Sequence, residues 1–275
     1  MRGRELRAAL HQGERVYGTC VTSPSPRWPG MIKELGLDFV FIDTEHVPLG
    51  RETVSWMCQT FRALDLTPIV RVPRPDPYQA CMVLDGGASG VVFPYVETVA
   101  EVQELRGAVK LRPLKGRRLS CLLKGEEELN AATARYLERY NEDNVMVVNI
   151  ESVAAMEALD DILAVPGVDA ILVGPHDLSI NLGIPEQYDN KLFLDAISLI
   201  IRKARKKAVG VGVHFSWGVG PQIDWAREGA NLILHTVDMT AVRDALAADF
   251  KRFQNELGDT RHARRDAGAT VDTRV

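Results

Sequence analysis

The residues best able to do chemistry come in short polar groups, each placed at the end of a run of β-branched and apolar residues. Asp43-Thr44-Glu45-His46 follows Phe39–Ile42, and Arg71 lies near the end of Pro68–Val72. Glu97 comes shortly after Gly90–Pro94, and Asn149-Ile150-Glu151 closes Val145–Ile150. Gly174-Pro175-His176-Asp177-Leu178-Ser179 follows Ala170–Val173. His214 and Ser216 mark the end of Gly210–Phe215, and His235 and Asp238 the end of Asn231–His235.

Two carboxylates stand out. Glu151 and Asp177 follow consecutive runs, so their oxygens could reach one ion. Hard dications such as Mg²⁺ take oxygen ligands and need few from the protein, because water or substrate fills the rest. The plainer alternative is that both cap the helices that follow, where a carboxylate is favoured. Asp43 and Glu45 would stand behind such a centre, or else be solvated loop residues. His46 can exchange a proton near neutral pH, and its carboxylate neighbours would raise its basicity. Its ordinary alternative is a loop histidine bonded to backbone. Arg71 is always charged and can meet an oxyanion in a fork geometry, or form a structural ion pair with Asp43 or Glu151. The turn at Gly174–Ser179 offers free N–H groups at a helix start, which suit a small carboxylate.

Absences narrow the chemistry. No lysine occurs in any of the strand-like runs, so an imine-forming aldolase has no nucleophile there. No G-x-G-x-x-G follows the first run, and neither a phosphate-binding G-x-x-x-x-G-K-[ST] nor a G-x-S-x-G elbow appears. Cys20, Cys58, Cys81 and Cys121 are scattered, without a C-x-x-C pair, which argues against a zinc cluster or a disulfide framework.

Something must hold these groups together, and the pattern between them says what. The runs are Val16–Val21, Phe39–Ile42, Pro68–Val72, Gly90–Pro94, Val145–Ile150, Ala170–Val173, Gly210–Phe215 and Asn231–His235. They are nearly continuous in apolar residues, as strands buried on both faces must be. Helix-patterned stretches separate them: Gly30–Leu35, Arg51–Leu64, Pro77–Leu84, Val99–Val109, Ala154–Leu163, Lys191–Lys207, Gly220–Arg227 and Val242–Leu257. This alternation predicts an α/β protein with a closed (β/α)₈ TIM barrel, and an open doubly wound sheet is the alternative. Reactive groups of such a barrel belong at the carboxyl ends of its strands, where the polar groups above stand.

Residues 1–257 are expected to form one domain. The stretch 111–143 interrupts the alternation as a charged insertion, with Arg112–Leu119 a loop and Gly125–Asn141 helical; a lid or a subunit contact on the loop side of the barrel is its expected task. Residues 258–275 are polar without an apolar face, which predicts a disordered tail. Of 275 residues, 46% are hydrophobic and 25% charged, and 33 basic against 37 acidic residues give a net charge of −4. That excludes a disordered or collagen-like chain and argues against nucleic acid as a partner. With neither a signal-peptide core nor an apolar stretch of membrane-spanning length, the expectation is a cytoplasmic protein with no membrane partner.

Taken together, Phe-Ile-Asp-Thr-Glu-His (41–46), Pro-Ile-Val-Arg (68–71), Leu-Asp-Gly-Gly-Ala (84–88), Pro-Tyr-Val-Glu-Thr (94–98), Asn-Ile-Glu-Ser (149–152) and Gly-Pro-His-Asp-Leu-Ser (174–179) resemble the HpcH/HpaI family. Its members are class II, metal-dependent aldolases of hydroxy-2-oxo acids. The resemblance implies a barrel of the phosphoenolpyruvate/pyruvate-binding type and a divalent cation, Mg²⁺, Mn²⁺ or Co²⁺. It implies Glu151 and Asp177 as metal ligands, His46 as general base, Asp85 as the acid that raises its basicity, and Arg71 as the stabiliser of a developing oxyanion. Asn149, His176 and Asp177 would hold the substrate, a small 2-oxo acid. The implied reaction is reversible aldol cleavage of a 4-hydroxy-2-oxo acid to pyruvate and an aldehyde through a metal-bound enolate. Oxaloacetate decarboxylation, a citrate-lyase-like acyl-CoA cleavage and a non-catalytic oxo-acid binder are the alternatives. The resemblance also implies a homo-oligomer, often a hexamer with exchanged C-terminal helices. The chain departs from the family pattern at Asn149 (commonly Gln), at His176 (commonly a small residue) and at His235-Thr236-Val237-Asp238 (commonly Gly-Ser-Asp).

Overall fold

The computed structural model describes residues 1–258, and the predicted tail lies almost wholly outside them. Eight parallel strands form one sheet in the order β7-β6-β5-β4-β3-β2-β1-β8. They are β1 (Val16–Val21), β2 (Phe39–Asp43), β3 (Thr67–Arg71), β4 (Gly90–Phe93), β5 (Val145–Ile150), β6 (Ala170–Val173), β7 (Gly210–Val213) and β8 (Leu232–Val237). The bridge from His214 to Leu234 joins β7 to β8 and brings the sheet round into a barrel. Gly212 makes this approach possible, since a Cβ there would lie 2.0 Å from the Leu232 carbonyl oxygen. The open-sheet alternative is thereby excluded.

Alternation along each strand sorts the side chains into two cores. The outward set packs beneath the surrounding helices and includes Val40, Ile42, Val70, Val91, Val148, Ile171 and Val211. The inward set fills the lumen: Val16 and Cys20, Phe39 and Phe41, Ile69, Val92, Val145 and Val147, Ala170 and Leu172, Leu232 and Leu234. Helix α1 (Gly3–Gln12), absent from the sequence reading, adds Leu6, Ala9 and Leu10 to that lumen core and closes the amino-terminal end of the barrel. Its short amphipathic pattern ends on Gly13 at φ 87°, a conformation that glycine adopts without strain. Asp169, at the start of β6, fastens the plug. It pairs with Lys110 at 2.5 Å, with His11 at 3.0 Å and with Arg7 at 3.2 Å. Burial opposes its ionisation, but these partners prevail and hold the carboxyl down at about 2.

Continuing the same alternation toward the carboxyl ends changes the character of the lumen. After Phe41 comes Asp43, after Ile69 comes Arg71, and after Val147 come Asn149 and then Glu151. After Gly212 comes His214, whereas β8 shifts register after Leu234 and turns Val237 toward the lumen core. The lumen is thus apolar below and polar at its mouth.

The insertion does not leave from the loop side. It follows α5 (Val99–Lys110) and re-enters at β5, and its ends are tied at the amino-terminal end of the barrel, where the Asn141 amide donates to the Arg112 carbonyl at 2.8 Å. The expected loop over 112–119 is in part helical, because α6 (Gly116–Leu123) lays Leu119 and Leu123 against Gly107 of α5. The expected helix over 125–141 is confined to α7 (Ala131–Tyr140), capped by the Asn130 side chain.

Candidate active site

Arg71 is the centre of the mouth. Its Nε donates to Asp43 Oδ1 at 2.9 Å and its Nη2 to Asp43 Oδ2 at 2.5 Å, a two-pronged contact between neighbouring strands paired at Asp43↔Arg71. The same Nε lies 3.1 Å from Glu45 Oε2, which is 3.7 Å from His46 Nε2. Burial disfavours the Asp43 charge, but the guanidinium outweighs it and lowers the carboxyl below its ordinary range. Glu45 goes the other way. Burial, together with Glu151, Asp43 and Asp177, pushes it up to about 7 against the pull of Arg71. Burial and the Arg71 charge lower His46, which favours a neutral imidazole able to accept a proton.

Glu151 and Asp177 meet on one residue. The Tyr95 N–H donates to Glu151 Oε1 at 2.7 Å, and the Tyr95 hydroxyl donates to Asp177 Oδ1 at 3.1 Å. Tyr95 achieves both by taking a left-handed backbone at φ 50°, a conformation that costs a non-glycine residue on the order of 1 kcal/mol. The Asn149 amide donates to Glu151 Oε2 at 3.1 Å. Gly174 leaves room for that oxygen, since a Cβ there would stand 2.2 Å from it. Burial, then the Asp177 charge, raise Glu151 above the usual carboxylate range. His176, on α10 (Pro175–Asn181), sits beside Asp177 with its Nδ1 3.6 Å from Glu186 Oε1.

The electrostatics ask for a cation. Asp43, Glu45, Glu151 and Asp177 crowd one mouth, and among the described residues neither Glu151 nor Asp177 has an ion-pair partner. The Asn149 Oδ1 atom is buried without a hydrogen-bond partner. Among the described residues no cluster of three or more acidic, histidine or cysteine side chains forms a ready cage. The donor set fits a hard dication held by two carboxylates, with its remaining positions left to water or substrate.

The sequence-expected residues mostly converge here: Asp43, Glu45, His46, Arg71, Asn149, Glu151, His176 and Asp177. Asp85 does not. It ends α4 (Pro77–Asp85), toward the end of the barrel opposite His46, with its side chain 69% exposed and bonded to Arg112. Within one copy of the chain it cannot act on His46. Glu97 accepts from the Ser152 hydroxyl at 2.5 Å, and Asp238 fastens the chain after β1 by accepting from the Thr22 and Ser23 N–H groups and the Trp28 indole. Tyr95 is the residue that the sequence reading missed; only its place after Pro94 at a strand end pointed to it.

A profile of the HpcH/HpaI aldolase/citrate lyase family matches residues 21–245. The chain belongs to this family. A hydroxypyruvate/pyruvate aldolase of Sagittula stellata is 30% identical over 247 residues, covering 88% of this chain and 95% of its own. A 2-keto-3-deoxy-L-rhamnonate aldolase of Escherichia coli K12 is 27% identical, covering 90% and 91%. Among solved structures, an HpcH/HpaI aldolase from Desulfitobacterium hafniense superposes with a TM-score of 0.78 at 26% identity, over 90% of this chain and 96% of that one. The citrate synthase SbnG gives 0.78 at 28% identity, over 92% and 99%. Named aldolases are carbon–carbon lyases, and the HpcH/HpaI fold is the barrel described above.

The carboxylate crowding has a pH consequence. Glu45, titrating at about 7, keeps its proton below that pH and adds its charge above it. Affinity for Mn²⁺ is expected to rise about tenfold from pH 6 to pH 8, with about one proton released per ion at pH 6. Calorimetric titration in buffers of different ionisation enthalpy checks this; an affinity flat across that range contradicts it.

Proposed function

We propose that the protein is a divalent-metal-dependent lyase that cleaves a 4-hydroxy-2-oxo acid reversibly into pyruvate, or a substituted pyruvate, and an aldehyde. The carrying observation is the Glu151–Asp177 pair, gathered on Tyr95 at the same mouth as Arg71 and, among the described residues, without an ion-pair partner. Glu151 and Asp177 would hold Mg²⁺, Mn²⁺ or Co²⁺. Such an ion supplies Lewis-acid chemistry, drawing charge from a keto group so that the neighbouring carbon can carry a carbanion's electrons.

The chain's own residues account for the rest. The N–H groups at the start of α10 take the substrate carboxylate, and Asn149 shapes the wall beside it. His46 removes the proton of the C4 hydroxyl. The C3–C4 bond breaks, its electrons pass to C3 and the C2 oxygen, and the aldehyde leaves. The Arg71 guanidinium faces the charge that builds on that oxygen, and Asp43 holds the guanidinium still. A proton from water at C3 completes pyruvate, and the hydroxide left takes back the proton that His46 had removed. SbnG, similar over nearly its whole length, is named a citrate synthase, so oxaloacetate belongs among the substrates tried.

The wild-type protein with Mn²⁺ is expected to exchange the C3 protons of pyruvate for deuterium. Glu151→Gln and chelation are each expected to lower that rate at least about 100-fold. Full exchange after chelation would contradict the metal-dependent reading, a wild type without exchange would make it a binder, and carbon dioxide from oxaloacetate without aldol turnover would favour decarboxylation.

A homo-oligomer, with a hexamer as the expected form, is part of the same proposal. Helix α13 (Asp238–Leu257) buries only Asp238, and Met239, Val242, Leu246, Phe250, Phe253 and Leu257 lie exposed at spacings of three and four residues. Such a stripe on an amphipathic helix seeks a partner, and a second copy could also bring Asp85 to His46. Light scattering is expected to give a multiple of the chain mass, and Leu246→Glu with Phe250→Glu to reduce it. A wild-type mass equal to one chain would contradict this.

A further inference from the structure

Tyr95 touches both carboxylates, and the chain around it is built to keep it there. It lies in the short connection between β4 and α5. The residues on either side are fastened. Pro94 precedes it with a fixed φ. Val96 is buried in the outer core, the Glu97 carboxylate accepts from the Ser152 hydroxyl at 2.5 Å, and Thr98 and Glu101 cap α5 reciprocally. Held between them at φ 50°, Tyr95 aims its N–H at Glu151 and its hydroxyl at Asp177. Its side chain is 50% exposed, so core packing does not account for a backbone that disfavours every residue but glycine. The two hydrogen bonds do.

Those bonds decide how the carboxylates can grip an ion. Like charges at one mouth repel, and the Tyr95 hydroxyl holds Asp177 in place against Glu151. The hydroxyl engages Oδ1 of Asp177, while the Tyr95 N–H and the Asn149 amide engage the two oxygens of Glu151. A carboxylate oxygen with one donor on it keeps a lone pair, so each side chain can still bind a cation through a single oxygen. Gripping the ion with both oxygens would cost hydrogen bonds already made. Ca²⁺ takes about six to eight oxygens and often two from one carboxylate, whereas Mg²⁺ and Mn²⁺ suit an octahedron completed by water.

We propose that Tyr95 is a positioning residue for the dication, holding Glu151 and Asp177 to one oxygen each so that the site selects a small octahedral ion over Ca²⁺. This rests on the metal-dependent reading above and deepens it by assigning the selectivity to a side chain that does not itself bind the ion.

The test measures Mn²⁺ affinity from the loss of the free-ion paramagnetic resonance signal, and Ca²⁺ affinity by competition, in wild type and Tyr95→Phe. Glu151→Gln supplies the baseline for binding elsewhere, and circular dichroism checks the fold. Wild type is expected to bind Mn²⁺ at least about tenfold more tightly than Ca²⁺. Tyr95→Phe is expected to weaken Mn²⁺ about tenfold, as loss of an outer partner of a ligand does, and to lower the Mn²⁺-to-Ca²⁺ ratio by a similar factor. A ratio within about twofold of wild type overturns the proposal, including the case in which both ions weaken equally, as does a wild type that prefers Ca²⁺. Wild-type protein that binds no Mn²⁺ above the baseline overturns the metal-dependent reading and this proposal with it. Should Tyr95→Phe not fold, Tyr95→Gly, which keeps the N–H and suits the backbone, decides the matter by the same ratio.

Discussion

The contact between Arg71 and Asp43 is the constraint on which the mouth of this barrel depends. A guanidinium in a lumen otherwise lined by Phe, Ile, Val and Leu would be costly to bury alone. Asp43, on the adjacent strand and in register, supplies both oxygens it needs. The contact fixes the plane of the guanidinium before any substrate arrives, and that fixity matters at a site where charge must develop at one oxygen. It also leaves Glu45 only partly compensated, so that Glu45, His46 and the Glu151–Asp177 pair answer to one shared field.

That field is built by strand alternation. The rule that sends Phe41, Ile69 and Val147 inward sends Asp43, Arg71 and Asn149 inward one step later. The apolar layers below, plugged by α1 and the Asp169 ion pairs, exclude water from the floor. The polar rung above faces ligands. An excess of carboxylate over guanidinium at this level is unfavourable in the chain by itself and becomes favourable when a dication joins it. Crowding like charges at one mouth costs stability, as preorganised centres usually do.

Much of this was legible in the residues. Apolar runs of strand length placed the barrel, because parallel strands buried on both faces carry a strong signal, and the polar groups at their ends are most of those that gather at its mouth. Glu151, Asp177 and His46 stand just after strands and Arg71 at the end of one, which is what singles them out in the sequence. Tyr95 was not, since its role comes from a left-handed backbone that no spacing announces. Helix α1 was missed because it is short and its apolar face covers a barrel end rather than a strand. The insertion was misplaced because sequence order shows that it follows a helix but not where its ends are tied. Asp85, assigned by resemblance, shows the limit of carrying a role onto one copy of a chain: it ends α4 and pairs with Arg112, away from His46.

The central claim is that Glu151 and Asp177 share one dication that also holds a small oxo acid against Arg71. A crystal soaked with Mn²⁺ and pyruvate, with anomalous diffraction recorded above the manganese edge, tests it most directly. The account predicts a single strong anomalous peak within bonding range of both carboxylates, with the pyruvate keto oxygen turned toward Arg71. A peak elsewhere, or full-strength pyruvate density with no peak between those two side chains, would contradict it.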